Sequence, residues 1–202
     1  GSEAGPALAA ILMGDANPSG KLPFTFPVKL EDNSAHALGE FVYERKNEIV
    51  DVKYNEGIFV GYRWSDKQKK VKPLFAFGHG LSYTTFEYGK AMADKKEMSS
   101  EDVLTITVPV TNVGNREGEE VVQLYISDLK SSLPRPIKEL KGFQKVRLAP
   151  GETKEVTFTI AKDALSFYDD AQQTWIAEPG KFEAIVAASA SDIKSKVVFS
   201  LK

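Results

Sequence analysis

A strict alternation of apolar and polar residues runs through the second half of the chain, and no other feature restricts its fold as tightly. In Val103 to Val110 the apolar positions are Leu104, Ile106, Val108 and Val110; in Glu155 to Ile160 they are Val156, Phe158 and Ile160; Val121 to Ile126 continues the pattern. A period of two sends successive side chains to opposite faces, so each run predicts a strand with one face buried. Further strand candidates are Glu139 to Leu148, Leu165 to Tyr168, Thr174 to Ala177, Lys181 to Ala188 and Val197 to Leu201. Turn chemistry separates them: Asn112-Val113-Gly114-Asn115, Ala149-Pro150-Gly151-Glu152, Asp169-Asp170 and Glu178-Pro179-Gly180. About seven short antiparallel strands in roughly 100 residues predict an immunoglobulin-like β-sandwich over 102–202. The charged, apolar-poor stretch from Lys90 to Glu101 reads as a linker, with 91–101 as its bounds.

Residues 1–90 are less regular. Leu8, Ile11 and Leu12 lie at helical spacing and Gly14 stands where a helix stops. Asn17-Pro18-Ser19-Gly20 is a turn cluster, and the prolines of Lys21 to Pro27 restrict that segment to an edge strand or an extended connection. Residues 28–53 read as a long polar surface loop with one short strand candidate at Phe41-Val42-Tyr43. Tyr54 to Trp64 reads as a buried strand with glycines at close backbone approaches, and Asp66 to Lys72 as a solvated turn. One helix and two or three strands make a poor core alone.

Composition removes several functions. Zero cysteines excludes thiol nucleophiles, thiolate metal sites and disulfides. With 26 Lys and Arg against 28 Asp and Glu there is no basic field for nucleic acid or anionic lipid, so neither partner is expected. No apolar run approaches the roughly 20 residues that a bilayer-spanning helix needs. The two histidines, 43 positions apart, have no metal-ligand spacing, and neither a nucleophile elbow nor a phosphate cradle occurs. No metal or cofactor is expected.

Three strings in the first half now bear on family: Gly14-Asp15-Ala16-Asn17-Pro18-Ser19-Gly20-Lys21-Leu22-Pro23, Tyr54-Asn55-Glu56-Gly57-Ile58-Phe59-Val60-Gly61-Tyr62-Arg63, and Phe77-Gly78-His79-Gly80-Leu81-Ser82-Tyr83-Thr84. In that order they resemble the C-terminal part of glycoside hydrolase family 3, the β-glucosidase and β-xylosidase family. Downstream, Val110-Thr111-Asn112-Val113-Gly114, Pro134-Arg135-Pro136, Lys138 to Phe143, Leu148 to Glu152 and Leu165 to Tyr168 are similar to that family's fibronectin type III-like domain. The resemblance implies a mainly β fold: residues 1–90 as the end of an α/β sandwich domain, then a fibronectin type III-like β-sandwich. It implies a parent that hydrolyses β-glycosides with retention and is periplasmic or secreted. In such enzymes the nucleophile aspartate sits on a barrel and the acid/base glutamate on the α/β domain, both upstream of Gly1. Retention requires two carboxyl groups roughly 5 Å apart, so the resemblance assigns no catalytic residue here and implies a chain inactive by itself. Its expected partners are the upstream catalytic domains and, through them, the β-glycoside substrate.

Individual residues can then be weighed. Glu56, beside Gly57, reads first as a hydrogen-bonding anchor. Arg63, Trp64 and Asp66 are candidates for sugar recognition at the rim of an active site. Tyr62, Trp64, Phe75 and Phe77 fit core packing better than a sugar platform, and Trp175 fits sandwich core or rim. His79, between two glycines, is expected as a structural hydrogen-bonder, and His36 as incidental. Arg135, held between Pro134 and Pro136, is expected to pair with a carboxylate of the preceding domains. Two readings stay open: a structural portion of a glycosidase, or a non-catalytic module that binds carbohydrate or protein. Unpaired edges in residues 1–90 also make self-association an expectation.

Overall fold

The computed structural model describes residues 1–38, 53–68 and 72–202. Its first half holds helix α1 (Ala4–Met13), a 3₁₀ turn at Leu30–Asp32, and the short helices α2 (Ser34–Ala37) and α3 (Tyr62–Lys67). Strands β1 (Phe86–Tyr88), β2 (Met92–Ala93), β3 (Glu97–Met98), β4 (Leu104–Asn112), β5 (Gly118–Asp128), β6 (Glu139–Leu148) and β7 (Thr153–Ile160) follow. Helix α4 (Lys162–Leu165) leads to the hairpin β8 (Phe167–Asp169) and β9 (Thr174–Ile176), then β10 (Gly180–Ala187) and β11 (Ile193–Leu201). The fold is mainly β and forms the expected sandwich.

One sheet is built around β4, with β7 antiparallel on one edge and β1 and β2 in succession along the other. The second runs β3-β11-β10-β5-β6, antiparallel except for the short β3–β11 pairing. Leu104, Ile106, Val108 and Val110 of β4 are completely buried, as the alternation requires. They pack with Val122, Leu124 and Ile126 of β5 and with Phe182, Ala184 and Val186 of β10 in one core. Phe182 and Phe199 stack at 5.8 Å between centroids. Beyond Val122, β5 loses its alternation because both of its faces are covered: Tyr125, with Ile185 and Ala187 of β10, packs under Tyr62, Ala76 and Phe77 of the first half.

The segment expected as a linker is woven into both sheets. Met92 and Ala93 pair with Thr107 and Ile106, Glu97 and Met98 pair with Ser200 and Leu201, and Ala91 and Met98 are buried. Its strands are two residues long, too short for periodicity to show.

In the first half α1 ends as expected, with Gly14 at φ 82° and its N–H bonded to Ile11 O. Lys21 to Pro27 is an extended connection that meets residues 74–79 through Phe26 N–H to Phe75 O (2.8 Å) and Gly78 N–H to Leu22 O (2.8 Å). Tyr54 to Trp64 is not a strand. Gly57 (φ 56°) closes a turn and Gly61 (φ 58°) opens α3, and a left-handed backbone at both positions breaks any extended run. Trp64 is buried on a helix rather than a strand, and Asp66 belongs to that helix rather than to a solvated turn. Within the expected loop 28–53 stand the 3₁₀ turn and α2; the strand candidate Phe41 to Tyr43 lies outside the described residues.

Candidate functional site

The polar residues converge where the first half rests on the sandwich, at two places. At the first, Asn17 donates to Glu117 O (3.0 Å), while its side-chain oxygen accepts from Ser82 Oγ (2.9 Å) and Tyr83 N (2.8 Å). Lys21 Nζ reaches both oxygens of Glu120 at 3.1 and 3.2 Å, and Tyr88 donates to the same carboxylate at 2.9 Å. Burial, then the charge of Glu120, raises the Tyr88 pKa, so the phenol stays protonated and serves as donor. Arg116 bonds the Gly14 carbonyl. A Cβ on Gly80 would stand 2.2 Å from Gly20 O, and one on Gly78 2.3 Å from Gln123. Both glycines around His79 are therefore required by close approach, and the His79 ring stacks on Phe75 at 5.2 Å.

At the second place α3 docks against the start of β6. The Arg63 guanidinium meets Glu139 at 3.1 Å, Asp66 meets Lys138 at 2.5 Å, and Leu140 N–H donates to Tyr62 Oη at 2.9 Å. Trp64 Nε1 donates to Asp32 O at 3.1 Å. The Tyr62 ring lies 5.0 Å from Phe77 and 5.8 Å from Tyr125. Burial raises the Asp66 pKa above the usual carboxylate range, against the opposing pull of Lys138. The structure thus brings Arg63, Trp64 and Asp66 together on one helix and engages all three with protein groups. Asp66 also borders a cleft of 220 Å³ with Phe77 and Ser191.

Arg135 is only 7% exposed at its side chain, and its carboxylate partners belong to the sandwich rather than to the first half. Nη1 bonds Asp128 (3.0 Å) and Leu165 O (2.9 Å), Nη2 bonds Glu139 (2.8 Å), and the guanidinium lies 5.2 Å from the Phe167 ring centroid. Contact with the preceding segment runs one step further, because Glu139 gives its other oxygen to Arg63. Glu139 and Lys138 were not singled out from sequence, although Glu139 lies four positions after Arg135.

Beside this network lies a groove of 620 Å³ bordered by Ile58, Arg63, Lys141, Tyr168, Asp170 and Trp175. Arg135 and Glu139 line it too. Trp175 is 67% exposed and meets Tyr168 edge to face at 5.7 Å, placing it on the rim rather than in the core. Of the four first-half aromatics, Tyr62, Trp64 and Phe77 are packed inside, while Phe75 is half exposed against Phe26. Glu56 stands in the turn before α3, its carbonyl accepting from Phe59 N–H.

Known proteins match this architecture along nearly its whole length. Residues 1–62 match the glycosyl hydrolase family 3 C-terminal domain and residues 120–190 the fibronectin type III-like domain. The β-glucosidase BoGH3A of Bacteroides ovatus is 53% identical over 98% of this chain and 26% of that enzyme. The thermostable β-glucosidase B of Acetivibrio thermocellus is 48% identical over 97% of this chain and 25% of its own length. β-Glucosidase 3B from Thermotoga neapolitana, solved in complex with α-D-glucose, superposes with a TM-score of 0.87 at 40% identity, over 98% of this chain and 26% of that one. The chain therefore spans about a quarter of the length of these relatives. By sequence and by fold it belongs with the C-terminal part of the family 3 glycoside hydrolases, the end of the family's C-terminal domain joined to its fibronectin type III-like domain.

Proposed function

We propose that this chain is the structural C-terminal portion of a β-glycosidase that removes terminal β-linked glucose or a related sugar with retention, and that it has no hydrolytic activity alone. The observation that carries this reading is 53% identity to a β-glucosidase along almost the entire chain. The electrostatics agree with a scaffold role. Asp66, Glu120, Asp128 and Glu139 are each held by a lysine or an arginine within 3.1 Å. A carboxylate whose oxygens are engaged by a fixed cation of the same fold is not free to attack a sugar or to reach a leaving group.

The partner in this reading is the upstream catalytic part of the same enzyme. Hydrolysis of 4-nitrophenyl β-D-glucoside tests it, with the chain alone and after mixing with the upstream domains of a family 3 β-glucosidase. Silence alone and turnover on mixing are expected; turnover by the isolated chain would overturn the reading.

A further inference from the structure

We propose that the groove between α3 and the β8–β9 hairpin is a non-catalytic binding site for a neutral oligosaccharide, with Trp175 as stacking platform and Arg63, Lys141 and Asp170 as hydroxyl partners. The inference does not depend on hydrolysis by the parent enzyme.

Three observations carry it. The first is the aromatic surface. Trp175 and Tyr168 are both exposed on adjacent strands, and their rings present to solvent the flat apolar area that the axial C–H face of a pyranose covers. The hairpin holds them in place. Asp169 Oδ1 accepts from Ala171 N (2.8 Å) and Gln172 N (3.1 Å), and its Oδ2 from Gln172 Nε2 (2.8 Å). A platform fixed before binding loses little entropy on binding.

The second is unused hydrogen-bonding capacity facing the same space. Among the described residues Lys141 has only a 3.9 Å contact to Glu139, and burial lowers its pKa. Arg63 uses one nitrogen on Glu139, and Asp170 has no partner among the described residues. Two donors and a free carboxylate suit hydroxyls, which accept from the former and donate to the latter.

The third is charge. Arg63, Arg135 and Lys141 stand against Glu139, Asp170 and, paired with Arg135, Asp128. The signs cancel, leaving no field to draw an ionic ligand. At 620 Å³ the groove is in the ordinary range for a small-molecule site.

The chain has two tryptophans, and Trp64 is buried, so iodide reaches Trp175 selectively. Cellotetraose and laminaritetraose, each titrated to about 10 mM against the 202-residue chain, cover the weak affinities one platform supplies. The expected result is saturable protection of the iodide-accessible fluorescence by at least one of the two sugars, with a matching calorimetric isotherm. Trp175→Ala should weaken calorimetric binding by about tenfold or more. Lys141→Met should weaken it without altering the melting temperature, and Phe143→Ala, on β6 but not bordering the groove, should leave it unchanged. No protection by either sugar, or an unchanged isotherm in a folded Trp175→Ala variant, overturns the site. If Trp175→Ala does not fold, the wild-type protection and the Lys141→Met isotherm decide.

Discussion

Arg135 and Asp128 are 7% and 3% exposed at their side chains, and the guanidinium also holds Glu139 and the Leu165 carbonyl. Removing it strands Asp128 with little water and leaves Glu139 to Arg63 and Lys141, and breaking such a buried pair costs about 3 to 5 kcal/mol. Arg135→Ala should lower the urea midpoint accordingly, whereas an apolar pair at both positions, Arg135→Met with Asp128→Leu, should recover much of the loss. Equal loss in the single and double variants would refute this account of the cluster. Asp66 behaves in the opposite sense from a typical salt-bridged carboxylate. Its pKa is raised by burial despite Lys138, so between the unfolded value, about 4, and the raised folded value, the native state binds the extra proton. The Asp66 contribution to stability is then largest in acid and falls as pH rises through the folded pKa. Denaturant melts of wild type and Asp66→Asn from pH 3 to 8 should show wild type losing ground to the variant across that window; a difference that grows with pH would contradict the assignment. None of these partnerships could be read from letters. Proline on both sides of Arg135 marks a stiff loop, but which carboxylates it meets depends on how β5 and β6 come together.

Among elements, legibility follows strand length. From β4 onward nearly every strand is placed to within a few residues, because β4 and β7 alternate over a half-buried face and turn residues bound the others. β2 and β3 are two residues each and lie in a charged stretch, so only the burial of Ala91 and Met98 reveals them. The run Tyr54 to Trp64 misleads for another reason: its aromatic and β-branched residues favour a strand, but positive φ at Gly57 and Gly61 decides otherwise. Of the sugar-recognition candidates, Arg63 alone borders the larger groove, whose other polar members come from the loop before β6, from β6, from the end of α4 and from the β8–β9 hairpin. A boundary at residue 102 would strip β1 and β2 from β4 and β3 from β11. A version beginning at Thr84 is expected to give a cooperative melt, whereas one beginning at Asp102 should aggregate through bared edges, as light scattering and circular dichroism can show. Within the woven segment, Met98→Ala should cost about 2 to 3 kcal/mol in a thermal or urea melt, as for other fully buried apolar side chains.

Over the whole molecule, apolar exposure is uneven. Among the described residues, fifteen of the 26 exposed large hydrophobics lie before residue 84, although that half is the shorter. They include Leu8, Leu12, Phe24 and Leu74, none of which the sandwich covers. A surface of this kind favours burial against another body. The isolated chain is expected to self-associate with rising concentration in light scattering, and a monomer at every concentration would count against that. Local stability should be uneven too, with amides of residues 1–38 exchanging faster than those of β5 and β10 at the centre of the five-stranded sheet. That sheet also has an order of synthesis built into it. β11, the last of its strands to leave the ribosome, sits between β10 and the much earlier β3, which pairs with no other strand among the described residues. Until β11 emerges, β3 has no partner and β10 has one bare side, so a nascent chain stalled before Ile193 should present an open sheet to chaperones and proteases rather than a nearly finished domain.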